Sequence, residues 1–347
     1  MTRQTWTAFV SAFVFVSLSI LLAVLPVPFV SWSPGGTRDT LGNAGNEPII
    51  KVAGTETFPT AGQLDMTIVS TTPADGRLSL PQALVAYWLP HRDTLPRDSV
   101  YTPGKSADQV ESEDADMMET AQDDAVVAAL RADGRPVTEM PAVYSVTVGG
   151  PAHKLLLPGD LILSVDGVPT PTVDSVSTEV QSHQAGQLIE FAVIRQRVET
   201  TVEVTVSESS TAPVGVVGIT LGEGFGYEPQ ISFDIGRRIG GPSAGLVFAV
   251  AIYDKITPGP LLGGRHVAGT GTITSDGQVG PIGGIQEKIA GADKAGATVF
   301  LVPAGNCGDL SGVRTDMTLV KVATLGDAVN ALRWLDTPGA STGLPRC

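Results

Sequence analysis

Histidine is scarce in this chain. Four occur among 347 residues, at His91, His153, His183 and His266, and none stands at a metal-ligand spacing from another. Cysteine is scarcer still. Cys307 and Cys347 are the only two, which excludes a disulfide-dense scaffold and a Cys-rich zinc site. Basic residues number 22 against 36 acidic ones, for a net charge of −14 and a pI near 4.6. That balance excludes a surface built to neutralise phosphates, and with it a nucleic-acid partner. A nucleotide-binding loop is also missing. Pro103-Gly104-Lys105-Ser106 ends like one, but Ser99 stands where its first glycine is required. No metal, no cofactor and no ATP-driven step are therefore expected.

One long apolar run is present. Residues 8–30 carry no charge, and a bilayer crossing needs roughly 20 such residues. Arg3 precedes the run and acidic residues dominate beyond it. The positive-inside tendency then puts the short N-terminus in the cytoplasm and everything after Trp32 outside the cell membrane, with Trp32 at the interface. A cleaved signal peptide is the rival reading. The run is long for a signal peptide, however, and no A-x-A site follows it. The expectation is an uncleaved single-pass anchor with the bulk of the chain extracytoplasmic.

The densest chemical signal lies between residues 240 and 302. Gly240-Gly241-Pro242-Ser243-Ala244-Gly245 presents a serine in a Gly/Pro-rich turn before an apolar segment. Further on, Ile285, Lys288, Ile289 and Ala292 fall at i, i+3, i+4 and i+7, one face of a helix that Gly296 stops. Lys288 is then on the buried face, with Glu287, Asp293 and Lys294 pointing elsewhere. Burial disfavours an ammonium ion, so Lys288 is a candidate base and Ser243 a candidate nucleophile. The bland alternatives are a lysine that snorkels to water and a serine that caps a helix. Residues 241–245 also satisfy the G-x-S-x-G pattern of α/β-hydrolases, an esterase reading. His266 is the only histidine after Ser243, and Asp254 is the only acid between them, which leaves no room for such a triad.

These residues resemble a family. Gly241-Pro242-Ser243-Ala244-Gly245, Thr270-Gly271 and Pro281-Ile282-Gly283-Gly284-Ile285-Gln286-Glu287-Lys288 are similar to the proteolytic domain of Lon-type serine proteases, over about residues 215–337. The resemblance implies a Ser243 nucleophile, a Lys288 general base, and Thr270 as a hydroxyl that orients the lysine. Gly241 departs from the family, which usually has an aspartate there. A second stretch, Gly149 to Gly167 within residues 138–206, resembles PDZ domains of the bacterial protease-associated type. Such domains take an extended C-terminal peptide as an added strand, here expected along residues 142–146. No Gly-Φ-Gly-Φ loop precedes that strand, so no carboxylate-binding residues are assigned.

The remaining stretches carry less. Residues 64–69 read as a strand, 80–88 as a helix with Pro81 at its start, 106–124 as a solvated acidic segment and 117–130 as an amphipathic helix. Residues 214–219 and 231–235 read as strands leading into Ser243. In an oxidising compartment Cys307 and Cys347 are expected to pair and hold down a Gly/Ser/Pro-rich tail.

The expected fold class is α+β multidomain: an N-terminal transmembrane helix, a PDZ-like β-rich module and a Lon-type proteolytic α/β domain. The boundaries are 1–33 for the cytoplasmic tip and anchor, 34–137 for an N-terminal extracytoplasmic region, 138–208 for the PDZ module, 209–337 for the Lon-like domain and 338–347 for the tail. The whole resembles the membrane-anchored PDZ-containing Lon-like proteases of Gram-positive bacteria. This implies an ATP-independent Ser–Lys endopeptidase acting on protein or peptide substrates, recruited or positioned through their C-termini, in a possible homo-oligomer. The alternative is a non-catalytic PDZ membrane adaptor with a degenerate Lon-like domain.

Overall fold

The structure is a computed structural model that describes residues 2–195, 197–208, 215–236, 239–335 and 343–347. It forms two compact units. The first joins the chain up to Gly134 with Pro229–Cys347, and the second is Arg135–Glu228.

Helix α1 (Arg3–Val24) has 22 residues, a mean hydropathy of 2.4 and no buried residue. It ends where proline intervenes. Leu25 precedes Pro26 and takes an extended conformation, because the proline ring disfavours a helical residue before it. The helix thus stops short of the expected apolar run, and the last part of that run becomes strand. Pro26–Val27 pairs with Leu78–Ser79. β1 (Phe29–Asp39) pairs antiparallel with β2 (Gln63–Thr71), with an irregularity between Pro34 and Thr37. α2 (Leu80–Trp88) starts at a Ser79–Gln82 capping box, with Pro81 in its first turn. β3 (Asp93–Pro96) pairs with the other side of β1. α3 (Ala107–Ala132) opens on a Ser106–Gln109 capping box and runs unbroken for 26 residues. The acidic segment is therefore the first half of one helix, and Asp114 on it is half-buried rather than solvated. The second half buries Met118, Ala121 and Ala125, then every residue from Val126 to Leu130.

The second unit holds β4 (Thr138–Val146), β5 (Leu161–Val165), α4 (Val173–Ser182), β6 (Leu188–Arg195), β7 (Val198–Thr205) and β8 (Ile219–Gly226). Its sheet runs β7-β6-β5-β4-β8. Ile162, Val165, Val176, Phe191 and Val204 fill its core. β8 pairs with β4 from Ile219 opposite Val146 to Gly226 opposite Thr138. Residues 215–228 therefore belong to this unit and not to the domain that follows, a correction to the expected boundary at 208. The expected strand at 214–219 is broken at Val217–Gly218, and Val214 lies outside the described residues.

Back in the first unit, α5 (Gly245–Ile256) is buried almost throughout. β9 (His266–Gly269), α6 (Ile285–Ala295), β10 (Val299–Pro303), β11 (Thr318–Val322) and α7 (Leu325–Trp334) complete it. The six-stranded sheet runs β11-β10-β9-β2-β1-β3. β11, β10, β9 and β2 are parallel, as the wholly buried sequence of β10 suits, while β1 and β3 add antiparallel edges. Three of the six strands come from the N-terminal region that the sequence sets apart. Alternating strands with no motif give no sign of which sheet they will join. Cys307 and Cys347 are disulfide-bonded, with their Cα atoms 5.0 Å apart. The expected tail is described only from residue 343, where Pro345 accepts a hydrogen bond from Lys321 N–H; the rest lies outside the described residues.

Asp254 on α5 is fully buried. Its Oδ1 accepts the Leu261 N–H at 2.7 Å, and its Oδ2 has no partner among the described residues. Burial pushes its carboxyl up from 3.8 to about 6. A raised carboxyl holds its proton longer in the folded state, so stability falls as pH rises from about 4 to about 6 and stays lower above. Asp254→Asn should stabilise the fold at pH about 8, by at most roughly 3 kcal/mol, and raise the thermal midpoint accordingly. Circular-dichroism melts should show the gain vanish near pH about 4.

Candidate active site

Ser243 sits in the turn just before α5, and Lys288 sits one turn into α6. The structure brings them together. Lys288 Nζ lies 2.8 Å from Ser243 Oγ. The lysine is 3% exposed, and its second contact is the Thr67 carbonyl on β2, at 3.0 Å. Burial alone lowers its pKa from 10.5 to about 8. The expected helical face is present, with Ile285, Lys288, Ile289 and Ala292 all buried. Glu287 was expected to point away, yet it is buried too. Burial first, and the nearby Asp93 second, push its carboxyl up from the ordinary value.

The serine turn is pinned from behind. The Ser243 carbonyl accepts two hydrogen bonds, from the Gly271 N–H and from the Thr270 hydroxyl, both at 2.9 Å. Leu246 N–H returns one to the Gly271 carbonyl at 3.1 Å. This requires a glycine at 245, because a Cβ there would stand 2.9 Å from Ile273 Cγ2 and 3.1 Å from Ile273 N. Thr270 is thus in the site, but its hydroxyl holds the serine backbone and not the lysine. Ser243 caps nothing either: Ala244 is the N-cap of α5. The N–H groups of Ser243 and Ala244 have no acceptor among the described residues and stand at the positive end of α5.

Where the family usually has an aspartate, Gly241 takes φ +84° and donates its N–H to the Asp114 carbonyl at 2.9 Å. Gly240 lies so close to α3 that a Cβ would meet Asp114 Cβ at 2.7 Å. Helix α3 therefore braces the turn. Thr67 and Asp114 were missed from the sequence because both act through carbonyls, which every residue type carries.

Other candidates fall outside the site. His266 Nε2 lies 2.9 Å from Asp65 Oδ2 on the neighbouring strand and takes no part in the Ser243–Lys288 pair. Lys105, of the incomplete phosphate loop, pairs with Glu113 at 2.6 Å. No three His, Cys, Asp or Glu side chains among the described residues are placed to share a metal. Trp32 is half-buried. Its ring packs where a Cβ on Gly283 would be, 2.7 Å from Cη2, and its Nε1 is buried without a partner among the described residues. In the second unit, β4 lies between β5 and β8; its full ladder is with β8, and it meets β5 at one register pair, Ala142 opposite Leu161. The sheet ends on β7 and on β8, and β8 touches α4.

Residues 238–333 match the family model described as the Lon protease (S16) C-terminal proteolytic domain, and residues 118–206 match the PDZ domain model. The first match leaves out β1, β2 and α3, and so omits Thr67 and Asp114. The second begins inside α3 and ends before β8. Lon protease 2 of Herpetosiphon aurantiacus is 41% identical over 102 residues, covering 28% of this chain and 12% of that one. Lon protease 1 of Sorangium cellulosum is 42% identical over 93 residues, covering 26% and 11%. The chain thus spans about an eighth of the length of these relatives. Among solved structures, the PDZ domain of the SdrC-like protein from Listeria monocytogenes is 22% identical, covering 24% of this chain and 86% of that one, with a TM-score of 0.23.

Thr270→Val removes one of two hydrogen bonds to the Ser243 carbonyl. The expected loss in kcat/KM is about fivefold, for roughly 1 kcal/mol, with Thr270→Ser restoring it. The midpoint of the pH–rate profile should stay where it is. A shifted midpoint would mean that Thr270 acts on the lysine.

Proposed function

We propose that this chain, which carries a Lon-type proteolytic domain and a PDZ domain, is an ATP-independent, membrane-anchored serine endopeptidase. The observation that carries this reading is the 2.8 Å approach of a buried Lys288 Nζ to Ser243 Oγ. A neutral amine has two N–H bonds and one lone pair. With one N–H on the Thr67 carbonyl, the lone pair can turn to the serine hydroxyl. Lys288 takes the Ser243 proton as Oγ attacks the peptide carbonyl. The Ser243 and Ala244 N–H groups stabilise the oxyanion. The lysine ammonium then protonates the leaving amine. Water, deprotonated by the same lysine, hydrolyses the acyl-enzyme.

The accompanying roles belong to the same proposal. α1 anchors the chain in the cell membrane, with the remainder extracytoplasmic, where a Cys307–Cys347 disulfide is stable. The PDZ module takes peptide C-termini along the free edge of β8 rather than along β4.

The test is cleavage of an unfolded protein by the full chain in detergent without ATP, across about pH 6 to 10. Wild type should cleave with a rate that rises through a midpoint near 8, because the active form is the deprotonated lysine. Ser243→Ala and Lys288→Ala should each lose activity by more than about a thousandfold. Activity that survives either substitution, or that falls as pH rises through this range, would overturn the dyad.

A further inference from the structure

An anchored reading leaves one surface unexplained. On α2, Ala83 and Ala86 are buried against the body. Leu84, Val85, Tyr87, Trp88 and, at its end, Leu89 are exposed, with Tyr87 at 69% and Trp88 at 74%. No charged residue occurs from Leu80 to Leu89. Contiguous apolar exposure of this kind marks an interaction surface rather than a face meant for water.

Its place in the fold identifies the occupant. The pair Pro26–Val27 with Leu78–Ser79 ties the start of α2 to the chain just past the end of α1. α1 also touches α2 and Leu78–Ser79 directly. We propose that α2 lies in the interfacial layer of the bilayer that α1 crosses, with its exposed side chains immersed there. The proposal rests on the reading of α1 as a membrane anchor. Tyrosine and tryptophan suit that layer, each with an apolar ring and a polar tip that reaches the headgroups. Arg77 and Arg92, exposed on either side of α2, mark where the chain returns to water.

The placement reaches the catalytic centre through one strand. β1 follows α1, contacts α2, and sets Trp32 on Gly283 and Gly284, where α6 begins. Docking of α2 therefore holds the catalytic unit against the bilayer instead of leaving it on a tether. The substrate class that this favours is polypeptide presented at the membrane surface.

Nitroxide labels on the full chain in phosphatidylcholine–phosphatidylglycerol nanodiscs test the idea. Single sites would be Phe13→Cys, Leu84→Cys, Tyr87→Cys and, as an exposed reference on α7, Asn330→Cys. The readout is the ratio of collision with oxygen to collision with a nickel chelate. The ratio at 84 and 87 should be several-fold above that at 330, with 13 highest. Ratios at 84 and 87 equal to that at 330, with 13 still high, would overturn the docking while leaving the anchor intact. Four aqueous sites would overturn both. Labels at 84 and 87 shielded from both reagents would mean that protein, a second copy included, covers α2, and would also overturn the docking. A label-free arm compares brominated-lipid quenching of wild type with Trp88→Phe. A quenched component lost in the variant supports docking, and none opposes it.

Discussion

A single buried amine sets the terms for the catalytic unit. Lys288 is shut away from water on a helix that packs against β1 and β2, both from the far end of the chain, and β2 supplies the Thr67 carbonyl. The move from 10.5 to about 8 corresponds to roughly 3 kcal/mol of lost preference for the ammonium form. Burial is the one cause of that shift, with no carboxylate among the described residues offsetting it. A counter-ion would raise the lysine pKa again and remove the base. The same enclosure directs the amine. With the Thr67 carbonyl on one side and Ser243 Oγ on the other, it has two hydrogen-bond partners among the described residues, and one of them is the proposed nucleophile.

The serine depends on packing of a different kind. Its turn is clamped between Thr270–Gly271 and α3 by backbone hydrogen bonds and by glycines too close to their neighbours to carry a side chain. Elements from before the second unit and from after it are both needed. The chain therefore builds this centre only when segments more than a hundred residues apart come together, with Thr67 and Lys288 separated by 221 positions. The second unit, by contrast, is closed within its own stretch, and its last strand pairs along one side of β4.

What the sequence made legible were side chains whose type carries chemistry. Ser243, Lys288 and Thr270 stand together, and the periodicity of α6, its Gly296 stop and the start of α2 all appear as the local rules require. The Lon-type and PDZ matches bear out the two domains. Contacts made by backbone were not legible. Thr67 and Asp114 act through carbonyls, and nothing in residue type announces that. Sheet membership was not legible either, because an alternating strand such as β2 fits any half-covered sheet. One error has a clear cause. Glu287 was assigned to solvent from its polarity and its place on the helix, while tertiary packing buried it.

The central claim is that burial beneath β2 makes Lys288 a base. Lysine-selective 13Cε NMR on Ser243→Ala measures this directly, without relying on turnover. The account predicts that the Lys288 resonance titrates near 8. A midpoint at the ordinary 10.5 would contradict it, because the amine would then be an ion wherever the protein works.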